Sequence, residues 1–589
     1  MIGLAALAGC GAPHADATRP AAGATTAAAA TCRPGQPCWP TDADWQQLRS
    51  RLRGALEPVR SPLAPCHDEP TGEACAAALR LAQNPYYLQD QAAGTESTGW
   101  IDAWTAAPSA YAVVAETAGD VAAAVDFARD HHLRLVVKGT GHDYLGRSSA
   151  PDSLLIWTHR MRQVQVRDAF VPRGCTAPPV PAVSLGAGTR WLEAYQEVTG
   201  VHGRYVQGGG CTSVGAAGGF LQGGGFGSWS KRFGIAAASL LEAEVVTADG
   251  KIVIANACQN ADLWWALRGG GGGTFGVVTQ VALMTHPLPA YFGHVSGKIT
   301  ATSDAAFREL LEHFVAFFRD RLNNEHWGEQ VQIKGDNTLE LSLAFEDLRT
   351  RDAEQVWQPF RAWIAEHPDR FRIEFSAVEL PGNQLWNAAF FERYAPDVIQ
   401  SDARPDAPAD RYWWAGDAEQ VSAFWYAYQS RWLPIDRFEG AAGPQLAAAL
   451  FEASRHWSVG LHINKGQSGA SADAIERGRQ TAMNPAVFRA AALAIIGAGA
   501  RAFPGIAGHE PDLAEARRAR AGVSAAMAVL RAQTPDAGSY VNETDYFEPD
   551  WQRSFWGDNY PRLLAIKHAY DPHNLFTCHH CVGSEGVAP

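Results

Sequence analysis

Residues 205–230 of the 589-residue chain read YVQGGGCTSVGAAGGFLQGGGFGSWS. Ten glycines lie between Gly208 and Gly227, and Cys211 stands among them. Glycine loses more backbone entropy on ordering than any other residue, so this density needs a compensating role. No Gly-Lys-Ser or Gly-Lys-Thr follows, which excludes the phosphate-binding loop of P-loop proteins. We therefore expect a backbone that passes very close to a flat or charged ligand.

A second glycine run gives a formal G-x-G-x-x-G pattern at Gly271, Gly273 and Gly276. It opens into the strand-like sequence VVTQVAL, whereas the dinucleotide fingerprint needs a helix whose N-terminus faces the pyrophosphate. A Rossmann site is therefore disfavoured. The alternative for both runs is a glycine-rich loop without a ligand, but a third loop, KGTGHDYLG at 138–146, argues against it. Free glycine N–H groups can instead cradle phosphates.

Length and composition restrict the class of protein. The formal net charge is −13 and 47% of the residues are hydrophobic. A chain of this length exceeds one ordinary core. The acidic balance argues against nucleic acid as a partner, because phosphate binding needs clustered Lys and Arg. The sequence has no apolar run of about 18 residues, so it predicts no transmembrane helix.

The first 31 residues predict export. The sequence LAGC at 7–10 is similar to a bacterial lipoprotein signal, and an Ala/Thr-rich tether that looks disordered follows it. The hypothesis is a periplasmic or membrane-anchored lipoprotein with its lipid on Cys10, and a secreted protein is the alternative. The basic n-region of such signals is missing, which leaves a merely Ala-rich leader open.

The ten cysteines are typical of an oxidising compartment. Two pairs, Cys32/Cys38 and Cys66/Cys75, are spaced closely enough for local disulfides. The tail reads CHHC at 578–581, which invites a metal site. A structural zinc site needs a second ligand pair, and no second C-x-x-C exists. The sequence therefore favours disulfide pairing for these cysteines and predicts no metal.

The pattern of apolar residues predicts an α+β protein. Residues 111–138 read as strand, helix and strand, and residues 240–256 read as a β-hairpin that turns at Asp249-Gly250. Alternating strands and amphipathic helices follow from about residue 290. Among them the sequence predicts helices at 303–322 and at 417–432.

Four motifs occur in the order VVKGTGHDYLGRSS, QGGGCTSVGAAGGFLQGGGFG, LRGGGGGTFGVVT and YDPHNLF. Together they resemble the vanillyl-alcohol-oxidase-type FAD fold, in particular the berberine-bridge-enzyme-like oxidoreductases. This resemblance implies a two-subdomain PCMH-type FAD-binding domain plus an antiparallel-sheet substrate domain backed by helices. The predicted segments are a signal and tether at 1–31, an N-terminal cap at 32–106, the FAD-binding domain at 107–288, the substrate domain at 289–535, and a berberine-bridge-like segment at 536–584 that completes the flavin site.

The resemblance also implies FAD held by two covalent bonds. Family members with a histidine in the TGH loop attach it to the flavin 8α-methyl carbon, and members with a cysteine at the GGGC position attach it to flavin C6. This sequence has both, as His142 and Cys211. Taken alone, His142 would be a polar loop residue, and Cys211 a small buried residue or a disulfide partner. Both bonds would fix the ring and raise its reduction potential.

The same resemblance assigns the other cofactor-binding residues. Gly139, Thr140, Gly141, Asp143 and Ser148 are expected along the pyrophosphate, Thr212, Ser213 and Gly215 along the ring edge, and Gly276, Val277 and Val278 beside the ribityl and adenine portions, with Gly210 and Gly218 completing the set. Val214 occupies a position where a small residue admits O₂ in this family. We therefore expect an oxidase rather than a dehydrogenase.

Tyr540 is the candidate catalytic base, because SYVNETDYF at 539–547 resembles the Tyr-x-Asn segment beside the flavin. A free tyrosine has a pKa near 10, so a base role needs a cation or a hydrogen bond that stabilises tyrosinate. Lys465 or His462 is a candidate for this support. The alternative is that Tyr540 only packs on the ring, with Asn542 orienting a partner.

The sequence thus predicts an FAD-dependent oxidoreductase with a small-molecule substrate. Hydride passes from a hydroxyl-bearing carbon to the flavin, and O₂ is reduced to H₂O₂. A sugar or oligosaccharide is the favoured substrate, and a natural-product phenol, alcohol or alkaloid is the alternative. RYWWAGD at 411–417 either lines a substrate groove or holds a core tryptophan pair. A catalytically inactive, surface-anchored binding protein on the same fold is the hypothesis of another class.

Overall fold

A computed structural model describes residues 31–586. The predicted signal, the predicted tether up to residue 30 and Cys10, the predicted site of lipid attachment, lie outside this range. Within it, no helix combines the length and the apolar character needed to cross a membrane.

Short strands and helices alternate through the first half of the chain. Their bounds are α1 (Asp42–Arg51), β1 (Ala55–Pro58), α2 (Ala64–Asp68), α3 (Glu73–Leu81), α4 (Pro85–Gln89), β2 (Ser97–Trp100), β3 (Trp104–Thr105), β4 (Tyr111–Val114), α5 (Ala118–Asp130), β5 (Arg134–Lys138), β6 (Ser153–Trp157), β7 (Val164–Phe170), β8 (Val180–Gly186), α6 (Trp191–Tyr195), β9 (Arg204–Val206), α7 (Gly219–Gln222), α8 (Ser230–Phe233), β10 (Leu240–Val246), β11 (Ile252–Asn256), α9 (Ala261–Ala266) and β12 (Val277–Pro287).

Longer strands and helices make up the second half. Their bounds are β13 (Tyr291–Ala301), α10 (Asp304–Phe317), β14 (Trp327–Ile333), β15 (Thr338–Glu346), α11 (Thr350–Ala365), β16 (Phe371–Pro381), α12 (Ala388–Tyr394), β17 (Ile399–Ser401), β18 (Tyr412–Trp414), β19 (Ala423–Pro434), α13 (Ala442–His456), β20 (Val459–His462), α14 (Ala472–Arg479), β21 (Ala490–Arg501), α15 (Leu513–Gln533), α16 (Trp551–Trp556) and α17 (Tyr560–Tyr570).

The first sheet has the order β1-β4-β6-β5, in which β6 pairs in parallel with both β4 and β5. The connection from β4 through α5 to β5 confirms the predicted strand-helix-strand unit. Helix α5 buries the face formed by Val121, Ala124, Val125 and Ala128 against this sheet. A parallel sheet needs such a crossover helix, because its strands enter from the same edge.

The second sheet has the order β11-β10-β12-β8-β7, and β9 adds to β12. Strands β10 and β11 pair antiparallel from Glu242 with Asn256 to Val246 with Ile252, which confirms the predicted hairpin. The strand that follows the second glycine run is β12, the centre of this sheet. The run therefore enters a strand, as expected, and not a dinucleotide-binding helix.

The third sheet has nine strands in the order β16-β13-β15-β14-β20-β21-β19-β2-β3. Every pair in it is antiparallel except β19 with β2. Its largest core joins the sheet to residues of α10, α11, α13 and α15. This arrangement confirms the predicted antiparallel sheet backed by helices, and with it the α+β class.

The helix predicted at 417–432 is wrong. Residues Ala423–Pro434 form β19 between β21 and β2, and almost all of the strand is buried. A segment buried on both faces has no polar side from which a helical period can be told. Its aromatic residues fit a central strand, where large side chains pack on neighbouring strands.

Residues 32–106, predicted as a cap, contribute strands to two sheets. β1 pairs with β4 of the first sheet, and β2 pairs with β19 of the third. Helix α1 packs on α5, where Trp45 stacks on Tyr111 at 4.3 Å and contacts Phe127 at 4.8 Å between ring centroids. The predicted segment boundaries stay a prediction, but this segment connects the two sheets between which the site lies.

Four disulfides occur within residues 31–586. Cys32–Cys38 and Cys66–Cys75 confirm the two predicted local pairs, and Cys578–Cys581 confirms pairing in the tail. The fourth, Cys175–Cys258, spans 83 residues and could not be inferred from spacing.

Asp120 joins three parts of the first sheet region. Its carboxylate accepts hydrogen bonds from the backbone N–H groups of Arg53 at 2.7 Å, Gly54 at 3.3 Å, Glu116 at 2.9 Å and Thr117 at 3.0 Å. The residue is 2% exposed, so water cannot replace these bonds.

The variant Asp120→Ala is expected to lower the free energy of unfolding by about 3 kcal/mol, because buried N–H groups lose a charged acceptor. Urea denaturation followed by fluorescence measures this change. Asp130→Ala, at the exposed end of the same helix, is the matched control and should shift stability by less than about 0.5 kcal/mol. Equal stability of the two variants would contradict the assigned role of Asp120.

Candidate active site

A single cavity of about 1060 Å³ brings the predicted residues together. Its volume lies at the upper end of the roughly 300–1,000 Å³ typical of small-molecule sites. The predicted residues that line it are Gly139, Thr140, Gly141, His142, Asp143, Ser148, Gly210, Cys211, Gly215, Gly218, Gly276, Val277, Val278 and Tyr540. Three glycine-bearing loops, the nine-stranded sheet and the C-terminal segment therefore meet at one place.

Thr212 and Ser213 are the two predicted residues that do not line this cavity. The Thr212 hydroxyl is buried and donates to the carbonyl of Tyr412 at 2.7 Å. The carbonyl of Ser213 accepts a hydrogen bond from Gln89 Nε2 at 2.7 Å. Both residues thus fix the glycine-rich segment to its surroundings from the side away from the cavity.

The glycines of this segment lack a side chain for two different reasons. A Cβ on Gly208 would lie 2.5 Å from the Trp191 ring, and one on Gly227 would lie 1.8 Å from the Gly208 carbonyl oxygen. A Cβ on Gly210 or Gly218 would meet no atom within 4 Å, although both residues line the cavity. Close packing therefore excludes side chains at the first pair, and a side chain at the second pair would enter open space.

His142 faces a buried carboxylate. Its Nδ1 lies 3.4 Å from Glu96 Oε2 but makes no hydrogen bond of good geometry. Glu96 is 4% exposed, and this burial raises the pKa of its carboxyl, while His142 acts in the opposite direction. The imidazole thus has an unsatisfied nitrogen inside a ligand-sized cavity, which is a costly arrangement unless a partner completes it.

Lys138 holds the segment that carries Glu96. Its buried ammonium donates to three backbone carbonyls of residues 91–94, at 2.5–2.9 Å. Burial lowers the pKa of Lys138 to about 7. The backbone N–H of Glu96 then donates to the carbonyl of Gly141 at 3.1 Å. The loop bearing His142 and the segment bearing Glu96 are therefore held together by their backbones.

Asp143 and Thr140 shape the loop around His142. The Asp143 carboxylate accepts hydrogen bonds from both the backbone N–H and the Nε of Arg147, each at 2.7 Å. Thr140 Oγ1 accepts the N–H of Gly215 at 3.1 Å, which joins this loop to the glycine-rich segment. Because Asp143 is paired with Arg147, the negative charge of the Asp143 carboxylate is largely balanced.

Cys211 is the one cysteine without a disulfide in residues 31–586. Its thiol lies in the cavity wall beside the Asp417 carboxylate. Enclosure and the nearby Asp417 charge raise the pKa of the Cys211 thiol, and enclosure raises the pKa of Asp417 to about 6. Trp414 Nε1 donates to the Gly210 carbonyl at 2.8 Å, so the turn that carries Asp417 is fixed against the glycine-rich segment.

The Tyr540 hydroxyl lies against the same segment. It accepts hydrogen bonds from the N–H of Gly225 at 3.2 Å and from Asn542 Nδ2 at 3.0 Å. Both bonds stabilise a tyrosinate, but burial opposes ionisation more strongly, followed by the charge of Glu543, and the pKa of Tyr540 is raised above its usual value. Asn542 also donates to the Gly219 carbonyl at 2.9 Å, so it orients Tyr540 against the segment.

The cation expected beside Tyr540 is engaged elsewhere. The Lys465 ammonium forms an ion pair with Glu543 in the cavity wall. His462 also lines the cavity, and burial, followed by the Lys465 charge, lowers the pKa of its imidazole so that it stays neutral. Support for Tyr540 therefore comes first from two N–H donors and, more weakly, from the charge of Arg147.

The two tryptophans of RYWWAGD have different roles. Trp413 is 6% exposed and belongs to the core, whereas Trp414 lines the cavity. Each of the two interpretations of this motif is therefore right for one residue.

The tail contributes to the cavity without forming a metal site. Cys578 and His579 line it, and the His579 ring stacks on Tyr546 at 3.6 Å between centroids. Across the described range 31–586, no group of three His, Cys, Asp or Glu side chains is arranged to hold a metal ion.

Sequence reasoning missed the carboxylates of the wall. Glu329, Asp417 and Glu543 line the cavity, and Glu96 faces His142. Glu543 stands three residues after Tyr540, and Asp417 is the last residue of RYWWAGD, so both positions could have signalled them. Glu96 reaches the site through pairing of distant segments, which no local pattern predicts.

The chemistry of the cavity fits a flavin dinucleotide. It offers a buried imidazole nitrogen without a hydrogen-bond partner, an unpaired thiol, and a side-chain-free surface at Gly210 and Gly218. Flat aromatic rings need such a bare surface, and their phosphates need the free N–H groups of glycine loops.

Comparisons with known proteins agree with this fit. Residues 108–256 match the FAD binding domain model, and residues 539–583 match the berberine and berberine-like model. The FAD-linked oxidoreductase easE of Arthroderma otae is 33% identical over 94% of this chain and 89% of its own length. The VAO-type flavoprotein MtVAO713 of Myceliophthora thermophila superposes with a TM-score of 0.77 at 24% identity, covering 94% of this chain and 97% of its own.

A third similar protein is the glucooligosaccharide oxidase of Acremonium strictum, whose structure is described with a 6-S-cysteinyl, 8α-N1-histidyl FAD. It superposes with a TM-score of 0.63 at 20% identity, covering 80% of this chain and 91% of its own. At that identity the likeness shows a shared fold.

Gly210 provides a direct test of the bare surface. Gly210→Leu places a side chain in the open space, so we expect the flavin content of the purified protein to fall about tenfold, the equivalent of about 1.4 kcal/mol of binding. Absorbance at the flavin band relative to protein measures this content. Gly200→Leu, at an exposed site with equally open surroundings outside the cavity, is the control. Equal flavin content in both variants would show that Gly210 does not face the ligand.

Proposed function

The chain belongs to the berberine-bridge-enzyme-like family of FAD-linked oxidoreductases, and from this premise we propose an oxidase whose flavin is bound through both His142 and Cys211. One observation carries the proposal: the two side chains lie in the wall of the same cavity, one with an unsatisfied nitrogen and the other with an unpaired thiol. A flavin attached in this double way is described for the glucooligosaccharide oxidase that shares the fold.

Bound FAD would supply a hydride acceptor and a path for electrons to O₂. The protein's part is to bind the substrate, exclude water and accept a proton. In this proposal Tyr540 takes the proton of the substrate hydroxyl at its Oη. The N–H groups of Gly225 and Asn542 stabilise negative charge at that atom, which is what a tyrosinate base needs.

Oxygen as the electron acceptor is proposed from Val214. This residue lines the cavity close to Cys211, and its side chain is small enough to leave room beside a ring held there. The measurement that distinguishes an oxidase from a dehydrogenase is the yield of H₂O₂ per substrate oxidised in air. We expect a yield near one, and no H₂O₂ from a dehydrogenase.

We propose that the substrate lies against the cavity wall that is richest in apolar side chains. Its wall between residues 380 and 414 consists mostly of aliphatic and aromatic side chains: Leu380, Leu385, Trp386, Phe391, Ala395, Val398 and Trp414. Burying apolar surface contributes about 25 cal/mol per Å², which a phenol, aromatic alcohol or alkaloid would gain more fully than a sugar. We therefore propose a natural-product alcohol or phenol as the substrate, the class that the sequence alone ranked second.

Export of the protein is part of the proposal. Disulfides persist in oxidising compartments, and four are formed in the described residues. Lipid attachment at Cys10 stays a prediction, tested by the mass of the mature N-terminal peptide.

Acid precipitation tests the covalent attachment. The purified protein should be yellow, and its flavin should stay with the precipitated chain because covalent bonds survive unfolding. His142→Ala and Cys211→Ala should each retain flavin in the pellet through the remaining bond, and the double variant should release it. Flavin found wholly in the supernatant of the wild type would contradict the attachment. A colourless wild type would support the inactive binding protein.

Rapid mixing without oxygen tests Tyr540. A panel of phenols, aromatic alcohols and oligosaccharides is mixed with the protein, and flavin bleaching is followed. Tyr540→Phe should slow reduction by about 10²-fold, the usual contribution of a general base. Because the pKa of Tyr540 is raised above its usual value, the base form is scarce at pH 7 and the wild-type rate should increase as the pH rises.

Tyr205→Phe is the matched control for this experiment. Tyr205 lines the same cavity, but its hydroxyl donates to Gln207 Oε1 at 2.7 Å and is not available to a substrate. Its rate and pH dependence should equal those of the wild type. If Tyr540→Phe also reduces its flavin at the wild-type rate, another group is the base.

A further inference from the structure

Each of the two tethering side chains faces its own carboxylate. His142 Nδ1 lies 3.4 Å from Glu96 Oε2, and Asp417 lies beside the Cys211 thiol in the wall of the same cavity. The two carboxylates belong to different parts of the chain. Glu96 precedes both His142 and Cys211 in the sequence, and Asp417 follows both. Two independent segments thus deliver the same chemical group to the two proposed attachment points.

Glu96 is fixed by its own backbone. Its N–H donates to the Gly141 carbonyl at 3.1 Å, and its carbonyl accepts the N–H of Ser422 at 2.8 Å. Its side chain is nearly inaccessible to solvent, and the side chain that faces it is His142. A carboxylate held this rigidly against one imidazole is suited to take a proton from it.

Asp417 is fixed in a similar way. It lies in the short 3₁₀ turn Ala415–Glu419, directly after Trp414, whose indole N–H donates to the Gly210 carbonyl at 2.8 Å. Enclosure keeps the pKa of the Cys211 thiol high, so the thiol does not ionise unaided near neutral pH. The pKa of Asp417 is about 6, which leaves the carboxylate form available at pH 7.

We propose that Asp417 accepts the Cys211 proton and Glu96 accepts the His142 proton when the flavin becomes attached, so that each carboxylate controls one bond. This inference rests on the proposed double attachment and assigns the residues that bring it about. The inference also predicts that the two reactions are independent, because the carboxylates belong to different segments and face different side chains, His142 and Cys211.

The two reactions balance with molecular oxygen as the oxidant. At Cys211 the thiol S–H bond and the flavin C6–H bond break, one S–C bond forms, and the two protons and two electrons released convert O₂ to H₂O₂. At His142 an imidazole N–H bond and one C–H bond of the 8α-methyl group break, one N–C bond forms, and a second O₂ is reduced in the same way. Each carboxylate holds the first proton and passes it on, so neither is consumed.

Peptide mass spectrometry tests each bond separately. The wild type, Asp417→Asn, Glu96→Gln and the control Glu346→Gln are produced in cells starved of riboflavin, so that they are purified largely without flavin. They are then held with excess FAD in air and sampled over time. After proteolysis, the fraction of the His142 peptide and of the Cys211 peptide that carries the flavin mass is measured. Glu346 is a suitable control because its carboxylate is also buried but does not line the cavity.

We expect Asp417→Asn to attach flavin at Cys211 about 10²-fold more slowly while attachment at His142 proceeds normally, and Glu96→Gln to show the reverse. Glu346→Gln should match the wild type at both positions. The conservative variant Asp417→Glu should recover part of the Cys211 reaction, which separates loss of a proton acceptor from loss of fold. If flavin becomes attached at His142 in Asp417→Asn, the flavin site of that variant is correctly folded.

Two results would overturn the inference, and they differ. If the wild type carries both bonds and both carboxamide variants attach flavin at the wild-type rate, the carboxylates have no such role. If each variant slows flavin attachment at His142 and at Cys211 equally, the carboxylates do not act on separate side chains. A wild type without flavin on the Cys211 peptide would instead contradict the proposed double attachment itself, and the role of Asp417 with it.

Discussion

The contact between the backbones of Gly208 and Gly227 is the constraint on which the rest of the site depends. A Cβ on Gly227 would lie 1.8 Å from the Gly208 carbonyl oxygen, so no other residue fits there. The segment closed by this contact packs on Trp191 and Tyr195, and the Tyr195 hydroxyl donates to the Gly209 carbonyl at 2.6 Å. A backbone fixed in this way can present a nearly bare surface without becoming mobile. The contacts that fix it offset the backbone entropy that the glycines lose on ordering.

The second organising feature is the connection between distant segments. The N-terminal segment reaches the site through Glu96, and its strand β2 pairs in parallel with β19 of the substrate domain. The Ser422 N–H donates to the Glu96 carbonyl just before β19 begins. The substrate domain in turn reaches the glycine-rich segment through Trp414 and Asp417. The environment of His142 and Cys211 therefore depends on the nine-stranded sheet as well as on the glycine-bearing loops.

Much of the fold and site could be predicted because local patterns encode them. The strand-helix-strand unit at 111–138 and the hairpin at 240–256 follow from short-range periodicity and turn residues. The helix predicted at 417–432 was wrong because β19 is buried on both faces and shows no period. The carboxylate of Glu96 could not be found either, since tertiary pairing rather than any motif carries it to the cavity. Asp417 ends the RYWWAGD motif, but that pattern does not indicate a position beside Cys211. Thr212 and Ser213 belong to one of the four motifs, yet neither lines the cavity. The Thr212 hydroxyl and the Ser213 carbonyl form hydrogen bonds with Tyr412 and Gln89 instead.

The central claim is that a flavin ring lies on the bare glycine surface between His142 and Cys211. A crystal structure of the yellow protein, as purified and without added FAD, tests this most directly. The account predicts continuous electron density from the His142 ring and from the Cys211 sulfur into one isoalloxazine ring that contacts Gly210 and Gly218. Density for a flavin bound elsewhere, or a ring in this cavity separated from both side chains by van der Waals distances, would contradict it.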